Sequence, residues 1–253
     1  MIAIICASQI PSRRDPLYPL TRGGYKALIQ LKNKPLIQWV LDALSASEAI
    51  DKVVVAGLPT FADLHCRHDL FQIENAGDIT SNLRAAGEQL SAFLSQDDYV
   101  ISIPADNPTL RPEMFDWILE QIKPAQQDIY FSMIERSLLK GQFEKISRSF
   151  THLKDIEVTG GRLSAFRLSL LSKPNMNWAQ FIDAPQDPLH INSLVGFDAM
   201  FWIALRQMTL LQAESNIGHR LGLSAKILLS PYPELGIDIY KPQNLDIIQS
   251  LLK

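Results

Sequence analysis

Cysteine is scarce in this chain: Cys6 and Cys66 are the two among 253 residues, too few for a disulfide framework. Unpaired thiols belong to a reducing compartment, so the expected location is the cytoplasm. Long apolar runs are missing too. The first ends at Ala7, and the most apolar later stretch, 194–205, is broken by Asp198. Both fall short of the roughly 20 residues a membrane-spanning helix needs, and no basic region precedes the first run as a signal peptide would require. Neither sign of charge dominates. With 24 basic and 27 acidic residues the formal net charge is -3, which gives no overall field to draw in nucleic acid or an anionic membrane. Three motifs are absent as well. Without Gly-x-x-x-x-Gly-Lys-Ser/Thr, Gly-x-Gly-x-x-Gly or Gly-x-Ser-x-Gly, a P-loop ATPase, a dinucleotide-binding dehydrogenase and a serine-hydrolase elbow are all disfavoured.

What is present is a hydrophobic content of 47%, enough for a sizeable core. Short apolar runs alternate with stretches of helical period, the pattern of strands covered by helices on both faces. Residues 1–7, 27–31, 52–57, 99–104, 128–134 and 225–229 read as strands. Helices are expected over 35–46, 79–94, from Pro112 onward, 193–208, 210–221 and 244–252, with proline favoured in a first helical turn. The predicted fold class is α/β: a mixed, mostly parallel central sheet flanked by helices, in three Rossmann-like layers. One domain is expected over 1–253. The alternation weakens beyond Glu135, so 135–192 is expected to decorate the sheet, with Val158-Thr-Gly-Gly-Arg162 as a turn.

In open α/β sheets, ligands bind beyond the carboxyl ends of the strands. Polar residues directly after apolar runs are therefore the first candidates: Ala7 to Arg14 and on through Arg22-Gly-Gly-Tyr-Lys26, Ala105-Asp-Asn-Pro108, and Gly236-Ile-Asp-Ile239. The run Tyr25-Lys-Ala-Leu-Ile-Gln-Leu-Lys-Asn-Lys-Pro-Leu, continuing into a helix to Leu44, resembles the signature of the nucleotidyltransferases. A Val-Val-Val-Ala strand, Asn82, Ala-Asp-Asn-Pro, Thr-Gly-Gly and Asp-Ile-Tyr-Lys-Pro-Gln-Asn-Leu follow in the same order. The resemblance is nearest to molybdenum cofactor guanylyltransferase-like enzymes, and it implies a glycosyltransferase-A-like fold.

The resemblance implies transfer of a nucleoside monophosphate from a nucleoside triphosphate to a phosphorylated small-molecule acceptor, with release of pyrophosphate and Mg²⁺ as cofactor. Asp106 and Asp238 would hold the metal. Lys26 would act with Asp106 in catalysis, and Ser8, Arg13, Lys26 and Asn82 would contact the nucleotide. The 135–192 segment would face the acceptor, through Arg148, Gly160, Gly161 and Arg162. A monomer or homodimer is expected, with no nucleic acid and no membrane as partner. Three departures stand out. Relatives carry Ala-Gly-Gly and an arginine where this chain has Ala7-Ser-Gln-Ile-Pro-Ser-Arg13. Glycines present backbone N–H groups to phosphate, whereas Pro11 has none to offer. Arg162 replaces an asparagine, and Asp238-Ile-Tyr240 replaces Asp-x-Asp. Trp39, Trp117 and Trp202 sit in helical apolar stretches and read as core. The alternatives are a non-catalytic nucleotide-binding or regulatory module derived from this family, or a sugar-nucleotide-dependent glycosyltransferase.

Overall fold

Strands buried on both faces must be apolar almost without interruption, and Ile2–Cys6 (β1), Lys52–Ala56 (β4) and Tyr99–Pro104 (β6) meet that condition. The computed structural model describes residues 1–59, 62–123, 126–146, 148–173, 178–179, 196–237 and 239–252. Its other strands are Gln30–Leu31 (β2), Lys34–Pro35 (β3), Asp69–Ile73 (β5), Ile129–Glu135 (β7), Thr151–His152 (β8), Glu157–Arg167 (β9) and Ala225–Leu229 (β10). The helices are Tyr18–Thr21 (α1), Leu36–Ser45 (α2), Ile79–Leu90 (α3), Pro112–Ile122 (α4), Phe197–Ala204 (α5), Leu210–Leu221 (α6) and Pro242–Leu251 (α7). Among the described residues no helix is long and apolar enough to cross a membrane.

The main sheet runs β10-β7-β9-β6-β1-β4-β5, with β8 paired to β9. β1 lies parallel to both β4 and β6, and its last residue, Cys6, is in register with Ala56 and Pro104. The loops that follow these strands therefore emerge at one edge, at the point where the chain turns from one half of the sheet to the other. Successive side chains of a strand point to opposite faces. Ala3 and Ile5 pack with Ile37, Val40 and Leu41 of α2 and Phe115 and Ile118 of α4. Ile2 and Ile4 pack with Leu83, Ala86 and Leu90 of α3 and Ile217 of α6. Each such large apolar side chain contributes about 1.5–3 kcal/mol on full burial.

Local chemistry sets the helix ends. The Asp78 side chain accepts a hydrogen bond from the Ser81 N–H at the start of α3. Thr209 and Gln212 form a capping box on α6, which Gly222 closes at φ 64°. A third cluster joins Leu17, Ile29, Leu31 and Leu36 to Ile237, Ile239 and Ile248, and so brings the carboxyl-terminal residues onto the Lys26 region.

Four expectations need correction. Residues 157–167, read as decoration with a turn at Thr159-Gly-Gly, form an 11-residue strand inside the sheet, antiparallel to both β6 and β7. A glycine pair there marks an irregular strand where backbones approach closely. Residues 69–73, read as irregular, form the edge strand β5, whose side chains are only half-buried and so lack a long apolar run. Residues 27–31 divide into a 3₁₀ turn, Lys26–Leu28, and the two-residue β2. Trp202 is half exposed rather than core, because α5 lies at the periphery of the sheet.

Gly87 of α3 allows close packing: a Cβ there would lie 2.5 Å from Leu171 Cβ. Gly87→Val is expected to lower stability by about 1–3 kcal/mol through overpacking, checked by the urea midpoint of unfolding.

Candidate active site

β6 is buried over its whole length and delivers Ala105-Asp106-Asn107 to the carboxyl edge of the sheet. Asp106 is 3% exposed and Asn107 fully buried. Asn107 locks the turn: its Oδ1 accepts from the Thr109 N–H at 3.1 Å and the Thr109 hydroxyl at 2.6 Å. Its Nδ2 donates to the Glu234 carbonyl at 2.8 Å, which fastens the 3₁₀ turn Pro233–Gly236 beside Asp106. Glu234 in turn forms an ion pair with Arg111. Sequence reading passed over Asn107 as part of a turn. The buried amide acts as a brace between two segments 127 residues apart.

Lys26 opens the 3₁₀ turn after α1, and its backbone N–H donates to the Gln9 carbonyl at 2.9 Å, tying the first loop to the signature segment. Its side chain is buried, with Nζ 2.5 Å from Asp106 Oδ2 and 5.3 Å from the ring centre of Tyr240. Arg162 completes the group. Its Nη1 lies 3.0 Å from Asp106 Oδ1 and 3.1 Å from Oδ2. A bulge sets this position: β7 and β9 are in register at Phe131 and Ser164 and again at Met133 and Gly160, so β9 spends extra residues between the two points. The Ser132 hydroxyl fills the gap, donating to the Leu163 carbonyl and accepting from the Leu163 N–H. A Cβ at Gly161 would come within 2.9 Å of the Ser132 carbonyl oxygen and of Ile134 Cδ1, so glycine is required there.

The remaining expected residues divide. Ser8 is half-buried and leans on Gly57, whose φ of +100° and lack of side chain admit it; a Cβ there would lie 2.6 Å from Ser8 Cβ. Among the described residues, the N–H groups of Ser8, Gln9 and Ile10 donate to no protein acceptor. They lie beside Lys26, where donors of this kind suit phosphate oxygens. Arg13 is exposed on a turn closed by the Asp15 N–H and the Ser12 carbonyl. Asn82 stands at the start of α3. It is fully buried, its Oδ1 accepts from the Ala76 N–H at 2.9 Å, and its Nδ2 donates to Asn75 Oδ1 at 3.3 Å. Its amide braces the loop before α3. Gly160 is exposed and Gly161 half-buried. Asp238 lies outside the described residues.

Arg148 donates weakly to the Ile146 and Phe143 carbonyls, both at 3.3 Å. Among the described residues, its buried Nη1 has no hydrogen-bonding partner, and neither does the buried Oγ1 of Thr159. Nη1 lies 3.0 Å from where a Gly236 Cβ would stand, and Thr159 Cγ2 lies 3.5 Å from the same point. Burial pushes the guanidinium down to about 10 from its ordinary value.

As a carboxylate, Asp106 is the right donor type for Mg²⁺. Its carboxylate already forms ion pairs with Lys26 and Arg162, so an ion bound to it would share these oxygens with two cations. No group of three or more His, Cys, Asp or Glu side chains placed to hold a metal occurs among the described residues.

Residues 12–167 match the family described as the MobA-like NTP transferase domain. A curated 3-deoxy-manno-octulosonate cytidylyltransferase from Thermodesulfovibrio yellowstonii is 29% identical over 131 residues, 47% of this chain and 48% of that protein, so the match spans about half of that relative's length. Among solved structures, a hypothetical transferase from Thermus thermophilus superposes with a TM-score of 0.78 at 24% identity, covering 96% of this chain and 98% of that one. CMP:2-keto-3-deoxy-manno-octonic acid synthetase, complexed with CTP, superposes with a TM-score of 0.57 at 14% identity, covering 99% and 97%. Both likenesses confirm the expected fold.

A cation whose folded-state pKa is lowered is held at a cost at every pH below that value, and the cost fades as pH rises through it. Arg148→Met is therefore expected to raise the stability of the ligand-free protein near neutral pH by about 1 kcal/mol, a figure reduced for the guanidinium's partial solvent contact. The gain should shrink above a pH of about 10. Thermal melts of both proteins across this range check it.

Proposed function

Because the chain belongs to the MobA-like NTP transferase domain family, we propose that it is a nucleotidyltransferase, moving a nucleoside monophosphate from a nucleoside triphosphate to a phosphorylated small-molecule acceptor. The observation that carries this reading is the buried Lys26–Asp106–Arg162 group at the shared carboxyl edge of β1 and β6. Lys26 and Arg162 bring two cationic side chains to the edge where a triphosphate meets an open α/β sheet. The single protein unit spans residues 1–253 and works in the cytoplasm as a monomer or homodimer.

In this reading an acceptor phosphate oxygen attacks the α-phosphorus in line. The new oxygen–phosphorus bond forms as the bond to the β-phosphate oxygen breaks, and the electron pair leaves with pyrophosphate. No proton is needed from the protein, and no covalent intermediate forms on it. Lys26 stabilises the charge that grows on the phosphoryl oxygens, a role suited to a point charge already fixed in place. The N–H groups of Ser8, Gln9 and Ile10 receive the β- and γ-phosphates, with Arg13 reaching in from the exposed turn. Arg148 and the Thr159 hydroxyl, both with buried unpartnered atoms, meet the acceptor phosphate. A phosphate there would offset the burial that depresses the Arg148 cation. Mg²⁺ accompanies the nucleotide as the counter-ion of its own phosphates.

CTP is the first nucleotide to test, because two of the relatives are named for cytidylyl chemistry or contain CTP. One observation favours a second reading, a nucleotide-binding module without turnover: Ile10 and Pro11 stand where relatives carry glycines, which removes one phosphate-facing N–H. Pyrophosphate release from CTP and the other ribonucleoside triphosphates, with a panel of phosphorylated acceptors, separates the two. Lys26→Met leaves Asp106 paired with Arg162 and is expected to lower kcat/KM by roughly 10²–10³-fold. Triphosphate binding without pyrophosphate release across the panel would favour the module, and release of nucleoside diphosphate from a sugar nucleotide would identify a glycosyltransferase.

A further inference from the structure

We propose that α5 and α6 form a second binding site, one for a neutral saccharide. A cavity of about 620 Å³ lies between them, within the size range of small-molecule sites. Among its described lining residues are none of the Lys26–Asp106–Arg162 group, and the proposal does not depend on the nucleotidyltransferase reading. Trp202 comes from α5, while Gln212, Ser215, Asn216 and His219 come from α6. Those four recur at the spacing that places residues on one helical face, so they form a polar stripe about 10 Å long. Met208 joins them from below, packed with Leu153, Val158 and Ala213.

The turn between the helices holds this pocket open. α5 closes on Arg206 at φ 54°, a left-handed conformation that arginine rarely adopts. The Arg206 N–H donates to the Ile203 carbonyl at 2.8 Å and the Gln207 N–H to the Trp202 carbonyl at 2.9 Å, the paired bonds of a Schellman motif, which set Gln207 beside Trp202 in the wall. The Gln212 Oε1 is taken by the Thr209 N–H at 2.9 Å in the capping box, which leaves its Nε2 to donate to a ligand. The chemistry of the wall selects the ligand class. None of the described lining residues is Asp, Glu, Lys or Arg, so no fixed charge is there to neutralise a phosphate or a carboxylate. Amides and a serine hydroxyl donate and accept as sugar hydroxyls do. The indole offers a flat apolar surface to the C–H face of a sugar ring. Trp202 is 50% exposed and is propped edge-on by Phe201, ring centres 5.7 Å apart at 74°. Asn216 Oδ1 is buried and, among the described residues, has no hydrogen-bonding partner. Turning that amide toward a bound hydroxyl supplies one and removes the cost of an unmade buried bond. A nucleobase would also stack on the indole, but its polar groups lie along one short edge, whereas the α6 stripe presents partners over about 10 Å.

The test titrates the full-length protein with maltotriose, cellotriose and triacetylchitotriose, followed by calorimetry and by tryptophan fluorescence. At least one is expected to bind with a Kd below about 1 mM. Trp202→Ala is expected to weaken that binding at least roughly tenfold, and Asn216→Ala about fivefold, with the circular dichroism spectrum unchanged. CTP is expected to behave toward Trp202→Ala as toward wild type, within about twofold, because the two sites are separate. Ser215→Arg fills the pocket from an exposed position; it is expected to abolish saccharide binding, and it repeats the test should Trp202→Ala fail to fold. Absence of binding by all three saccharides at about 10 mM would overturn the proposal, as would binding that survives both Trp202→Ala and Ser215→Arg. Cytidine serves as the nucleobase control. Cytidine bound by wild type and lost in Trp202→Ala, with no saccharide bound, would overturn the proposal in favour of a base-stacking site.

Discussion

The Asp106 carboxylate is the anion on which the rest of the site depends. Lys26 comes from the segment before α2, Arg162 from the middle of β9, and Asp106 from the end of β6, and one buried carboxylate sets where both cations end. Buried charges are tolerated only when paired, so the cluster is also a constraint on the fold. It requires β9 to lie beside β6, the 3₁₀ turn at Lys26 to close over the sheet, and the carboxyl-terminal run to return across it. The Asn107 bond to the Glu234 carbonyl and the apolar cluster around Ile237 and Ile239 secure that last step.

The arrangement shows how a site can be altered without altering the fold. The three departures from the resemblance noted above are Ser8 to Arg13 in the first loop, Arg162 on the bulge and Tyr240 near the carboxyl terminus. The α/β layers beneath are tightly packed, with Ile4, Ile5, Val54 and Ile101 fully buried. Arg148 is a cation held at a cost inside the protein, because burial lowers its pKa and leaves its Nη1 without a hydrogen-bonding partner among the described residues.

Before Ile122, the half-buried β5 was not legible, whereas the strands Ile2–Cys6, Lys52–Ala56 and Tyr99–Pro104 and the helices Leu36–Ser45, Ile79–Leu90 and Pro112–Ile122 were, because the strands are apolar runs and the helices open on proline or an acidic cap. Tyr99–Pro104 and Ala225–Leu229 were delimited correctly for that reason. β9 was not legible. Its Gly160-Gly161 pair has the composition of a turn, and the reason for it, close approach to Ser132 and Ile134 of β7, is a contact between distant segments. The fold class followed from local periodicity, and Lys26 and Asp106 from position after a strand together with family resemblance. The pairing of Arg162 with Asp106 spans 56 residues and rests on a bulge that no local pattern announces. An amide that binds backbone and one that binds a ligand look the same in sequence, and the structure adds the bond from the Ala76 N–H to Asn82 Oδ1.

The central claim is that the first loop, the Asp106 turn and the β9 bulge form one triphosphate site organised around the Asp106 carboxylate. Amide hydrogen exchange with and without CTP tests it most directly, since ligand contact and ordering slow exchange locally. The account predicts slowed exchange at residues 7–14, 105–107 and 159–163 together, with α5 and α6 unchanged. Protection confined to α5 and α6, or protection of the first loop with none at 105–107 and 159–163, would contradict it.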